Sequence, residues 1–173
     1  MVEITVAASV LVIGALGMVT SVAASLRLVD ANRESMVAHQ AARGLAEQMQ
    51  NLTFAQVFAT YNANAADDPG GAGRAPGATF DVGGLRVPTA HGGGVAAATR
   101  VGAIEFPTLA SGVLSESVVD ARLGMPRDLN GDGVITNGAM PGSYLLLPVR
   151  IRLRWQGAGG THTMTVETLL VNR

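Results

Sequence analysis

From Ile4 to Leu26 the chain carries no charged side chain, and every face of a helix drawn through this stretch is apolar or small. That feature constrains the fold more than any other. A helix of this length measures about 35 Å, just sufficient for a hydrocarbon core of about 30 Å. The rest of the 173-residue chain is too short to cover such a helix on all sides, so a buried core helix of a soluble protein is a poor fit. A cleaved secretory signal fits no better. No basic residue precedes the core, and the helical pattern continues beyond it.

From Arg27 the pattern turns amphipathic. Ala38, Ala42, Leu45, Met49 and Leu52 recur every three or four residues as one stripe. Asp30, Arg33, Glu34, His39, Arg43 and Glu47 give the opposite side polar cover. Residues 1–61 contain no proline and only Gly14, Gly17 and Gly44, so helix is allowed throughout. Thr53-Phe54-Ala55-Gln56 matches a capping box, where the helix can stop and restart. We therefore divide the segment into residues 1–27, for membrane or filament core, and an amphipathic half, 28–61.

Residues 62–78 are almost entirely Asn, Asp, Gly, Pro and Ala, with no apolar period, and read as a flexible loop. Residues 79–173 are short apolar runs broken by glycine and proline, which predicts a β-rich head. Its last part specifies a hairpin. Pairing Trp155 with His162, Leu153 with Met164 and Ile151 with Val166 puts the apolar side chains on one face. The same register sets Arg150 opposite Glu167 and Arg152 opposite Thr165 on the other, around a loop at residues 157–160. A one-residue slip would spoil both faces. The Leu45/Met49/Leu52 stripe is the natural cover for the apolar one. Phe80–Val82 and Leu85–Val87 flank Gly83-Gly84 and predict a second, shorter hairpin, and Val101–Phe106 a further strand ended by Pro107. The fold class is α+β: a long N-terminal helix on a small antiparallel sheet ending in a C-terminal hairpin.

The acidic loop at 127–138 is the other local motif. Asp128, Asn130 and Asp132 fall at positions one, three and five of a calcium loop, Gly133 at the turn, and Val134 where a backbone carbonyl is used. Oxygens at alternate positions of a tight turn suit Ca²⁺ in a structural role. This stretch is similar to the calcium loops of EF-hands and dockerins. Ala139 occupies position twelve, so the usual bidentate carboxylate would come from elsewhere, with Glu116 and Asp120 as candidates. The alternative is a metal-free turn built on Asx side chains.

Catalysis finds no support in these residues. His39, His91 and His162 fall in different zones without zinc spacing, and there is no nucleophile elbow or phosphate loop. The chain has no cysteine, which removes thiolate chemistry and disulfides, and a net charge of −1 offers nothing to nucleic acid.

Val2-Glu3-Ile4-Thr5-Val6-Ala7-Ala8-Ser9-Val10-Leu11-Val12-Ile13-Gly14-Ala15-Leu16-Gly17-Met18 resembles the N-terminal helix of type IV pilin-like proteins, the pilins and the pseudopilins of type II secretion. The likeness covers about the first 50 residues and is looser over the head. It implies a subunit held in the bacterial inner membrane and then assembled with other pilin-like subunits, as a homo- or hetero-oligomer, into a surface or periplasmic filament. It gives Glu3 an assembly role, meeting the N-terminal amine of a neighbouring subunit, because a carboxylate at membrane depth is costly unless paired. Gly14 and Gly17 would let helices approach closely. Family members lose a leader ending in glycine and are methylated at the new terminus; the residues ahead of Ile4 do not show that processing. The competing reading is a non-polymerising, signal-anchored periplasmic domain with a calcium-stabilised loop, in which Glu3 merely rests at the membrane interface.

Overall fold

A computed structural model describes residues 2–88, 100–138 and 144–172. The architecture is α+β: one long helix, a short second helix and a four-stranded antiparallel sheet. Helix α1 runs without a break from Val2 to Gln50, 49 residues or about 74 Å. Its hydroxyl side chains do not roughen the apolar half. Thr5 donates to the Val2 carbonyl, Ser9 to Thr5, Thr20 to Gly17 and Ser25 to Ser21, so these four find their partners on the same helix.

The predicted stop lies at the capping box. Asn51 and Leu52 donate to the carbonyls of Gln48 and Met49, closing the last turn tightly. Thr53 then caps α2, Phe54–Tyr61: its hydroxyl accepts from Gln56 N, and the Gln56 side chain accepts from Thr53 N. The two segments are thus separate helices within 1–61. Helix α2 docks through buried Val57 and Tyr61, and Phe58 meets Phe106 edge-on with centroids 5.3 Å apart. The 62–78 segment is a hydrogen-bonded loop with one 3₁₀ turn at Ala65–Asp67. Asn62 Nδ2 donates to Asp67 and Gly73 N to the Ala65 carbonyl.

The sheet order follows the sequence: β1 Thr79–Phe80, β2 Gly102–Glu105, β3 Leu146–Gly157 and β4 Gly160–Val171. The β3–β4 register is the predicted one, with Trp155 opposite His162, Leu153 opposite Met164, Ile151 opposite Val166 and Arg150 opposite Glu167. The ladder continues one step further, to Gly157 opposite Gly160, which reduces the loop to the two-residue turn Ala158-Gly159. Strand β2 lies within the predicted Val101–Phe106 stretch and pairs with β3.

The predicted hairpin across Gly83-Gly84 does not form. The turn is present, with Leu85 N donating to the Val82 carbonyl, but Phe80 pairs with Gly102 instead of with residues 85–87. Three-residue strands gain little from pairing with each other. A long sheet already offers both an edge and a ladder: Phe80 takes the edge of β2, while the Arg86 carbonyl accepts from Gln156 N on β3.

The core lies between α1 and the sheet. Ala38, Ala42 and Met49 on the helix are buried against Leu147, Val149, Ile151, Leu153 and Trp155 of β3, with Leu45 and Leu52 packed at the margin. The predicted stripe is therefore the face that docks. Residues 2–30 of α1 stand clear of the head and are exposed throughout.

Candidate functional site

The residues proposed for assembly all fall on the free half of α1. Glu3 is in its first turn and exposed. At 100° per residue, Glu3, Gly14 and Gly17 lie within about 60° of one another around the helix axis. A Cβ built at Gly14 or Gly17 would meet nothing within 4 Å. They therefore share one side of a bare helix, with Glu3 and Gly17 about 21 Å apart along its axis. Among the described residues one helix, α1, is long and apolar enough to cross a membrane, with a mean hydropathy of 2.2 over its most apolar window.

The acidic loop is built from its own side chains. Asp128 Oδ1 accepts from Asn130 N and Gly131 N, and its Oδ2 accepts from Gly133 N at 2.7 Å. Asn130 Oδ1 accepts from Asp132 N, and Asp132 Oδ1 accepts from Val134 N. Gly131 and Gly133 take φ of +80° and +82°, which glycine adopts without strain, and this lets successive amides turn inward. Those amides hold the Asp128 carboxyl below the usual carboxylate range, the Gly133 N–H contributing most and Gly131 next.

Glu116 stands where the loop begins and ends. It is fully buried. Oε1 accepts from Leu129 N and Asn130 N, and Oε2 accepts from the amide and hydroxyl of Thr136. Its own carbonyl accepts from Arg127 N. One side chain therefore ties both ends of the loop to the core. Asp120, the other carboxylate considered as a ligand, is turned elsewhere: Oδ1 accepts from Arg150 Nη2 at 2.8 Å and from Arg122 N and Leu123 N. The Arg150 hydrogen bond, with the Leu123 and Arg122 amides, holds the Asp120 carboxyl below its ordinary range, and Arg150 also pairs with Glu105 and Glu167. Among the described residues no three carboxylate or imidazole side chains converge as a metal cage. The oxygen-only donor set of Asp128, Asn130, Asp132 and the Val134 carbonyl suits a hard cation in kind, with water to complete it. The Glu116 oxygens are engaged by the loop's own amides and the Thr136 hydroxyl, and Asp120 by Arg150. Ala139 lies outside the described residues.

Of the histidines, His39 is exposed on α1, His162 stacks on Trp155, and His91 lies outside the described residues. The anchoring role of Glu116 leaves no local trace in sequence, because its partners lie 13 to 20 residues away. The Asp120–Arg150 pair spans 30 residues and is equally invisible. By contrast, Arg150–Glu167 follows from the hairpin register alone.

Compared with protein-family models, with curated proteins and with solved structures, the chain gives no match.

Proposed function

We propose that this chain is a structural subunit of a type IV pilin-like filament, a pilus or a secretion pseudopilus. Helix α1 anchors it in the bacterial inner membrane before it packs beside the helices of other subunits. The observation that carries this reading is the division of α1: an apolar half, bare on all sides, continuous with a half clamped on the sheet. A bundle of like helices and a lipid core are similarly apolar, so the same surface serves both states. Glu3, Gly14 and Gly17 on one side of the bare half support close helix packing around a paired carboxylate. In the assembled state the Glu3 carboxylate meets the N-terminal amine of the neighbouring subunit.

The experiment is Glu3→Ala in the native host. Membrane fractionation follows insertion, and shearing of surface filaments follows assembly. Insertion is retained and assembly is lost. Assembly that is indifferent to the substitution removes the role of Glu3 and leaves the signal-anchored, non-polymerising domain as the better reading.

The loop reading belongs to the same proposal. Asp128, Asn130, Asp132 and the Val134 carbonyl would hold Ca²⁺, which would brace a loop with little apolar surface of its own. Thermal unfolding with Ca²⁺ and with chelator tests it: the midpoint rises with the ion, and an unchanged midpoint leaves the Glu116-pinned turn as a metal-free element.

A further inference from the structure

Three side chains from α1, β3 and β4 meet where the hairpin tip touches the helix. Trp155 Nε1–H donates to the Glu34 carboxylate at 3.1 Å. His162, directly across from Trp155 in the ladder, stacks on the indole with centroids 5.6 Å apart and planes 21° from parallel. Its Nε2 is buried and has no hydrogen-bond partner among the described residues. Gly157 explains how the group fits. A Cβ there would collide with Glu34 Oε2 and stand 3.0 Å from His162 Nε2, so carboxylate and imidazole border the same bare Cα.

A buried ring nitrogen without a partner is costly. The nearest complement is a carboxylate with lone pairs to spare, since Glu34 accepts only one hydrogen bond, from the indole, among those described. Protonation makes both imidazole nitrogens donors and adds a charge of the right sign.

We propose that Glu34, Trp155 and His162 form a proton-operated clasp, in which protonation of His162 turns Nε2 toward the Glu34 carboxylate and fastens the hairpin tip to α1. The clasp lies where the helix leaves the head: residues 2–30 are fully exposed, and Glu34 is among the first that are not. It therefore sets how firmly the start of the docked half of α1 is held to the hairpin tip. In the unprotonated form the indole bond to Glu34 is the remaining polar tie at this point.

The surrounding charges are few. On α1, Asp30 and Arg27 lie one and two turns before Glu34, both exposed, and Arg33 beside it is exposed too. On β3, Arg154 alternates with Trp155 and belongs to the opposite face. Arg86 runs along the other edge of β3, where its carbonyl accepts from Gln156 N. Glu34 is thus the charged group that the imidazole faces.

Trp155 is the sole tryptophan of the chain, so its fluorescence reports on the clasp directly. The full chain in detergent micelles is titrated from about pH 8 to about pH 5, the range in which histidine changes charge. Wild type shows a one-proton sigmoidal change. His162→Gln abolishes it, and Glu34→Gln moves its midpoint to lower pH. A flat wild-type titration, or a Glu34→Gln midpoint equal to wild type, overturns the proposal. Where His162→Gln fails to fold by circular dichroism, the Glu34→Gln midpoint decides alone.

Discussion

The two halves of α1 share one backbone ladder but need different surroundings. Residues 31–50 bury Ala38, Ala42 and Met49 against β3 and leave Arg43 and Glu47 to water, where they pair at 2.8 Å. Residues 2–30 bury nothing in the head; Leu11 is 72% exposed and Ile13 69%. The second half is stabilised by tertiary packing, as most helices are. The first half presents apolar surface far beyond what a soluble monomer exposes, and its length and composition are compatible with a membrane anchor. A single helix can therefore carry two different instructions, because each turn answers only to what surrounds it.

The largest effect that would break this comparison is in the core. Leu153→Ala removes a fully buried side chain beneath α1 and costs about 2–5 kcal/mol in denaturant unfolding of the head. Leu16→Ala, on the bare half, leaves the same unfolding curve within about 0.5 kcal/mol. Equal effects would mean that the halves are not independent.

Glu116→Gln is next. Gln offers one acceptor oxygen where the carboxylate serves four donors from Leu129, Asn130 and Thr136. We expect a loss of about 1–3 kcal/mol, with faster amide exchange at residues 129–136 and no change along α1.

The loop and the Arg150 cluster also set an acid limit on the head that the bare helix half does not share. The carboxyls of Asp128 and Asp120 are both held below their ordinary values. Their contribution is present above the usual aspartate value of about 3.9 and is lost as the pH falls through their lower folded values. The thermal midpoint of the head should therefore drop on going from about pH 5 to about pH 3. Asp128→Asn should shrink that drop, while the helical signal of residues 2–30 in micelles stays constant.

The smallest effect is at the hinge between helices. Thr53→Ala deletes the hydroxyl that caps α2 and costs about 1 kcal/mol. It sharpens the comparison by loosening α2 while leaving the contact of α1 with β3 in place.

Much of this was legible in the chain. The 3.6-residue period of Ala38, Ala42, Leu45 and Met49 and the two-residue period of Val149 to Trp155 each name a face, and the capping box at Thr53 names a boundary. Those signals are local, and the structure agrees with them. The short hairpin at 80–87 misled because Gly83-Gly84 specifies a turn but not the partner of the strands beside it. The candidate site was legible in part: the Asp128–Val134 spacing announced a tight oxygen-lined loop. Nothing in the spacing announced that Glu116 would be its buried anchor.

The sequence by itself determined the long helix, the point where its character changes, and the register of the last hairpin, since each follows from periodicity within one segment. Only the tertiary structure decided which strand takes Phe80, that Glu116 closes the acidic loop, and that Glu34 meets Trp155 and His162. These are pairings between groups far apart in the chain. Their energy exists only once the core has brought the segments together, so no local pattern records them.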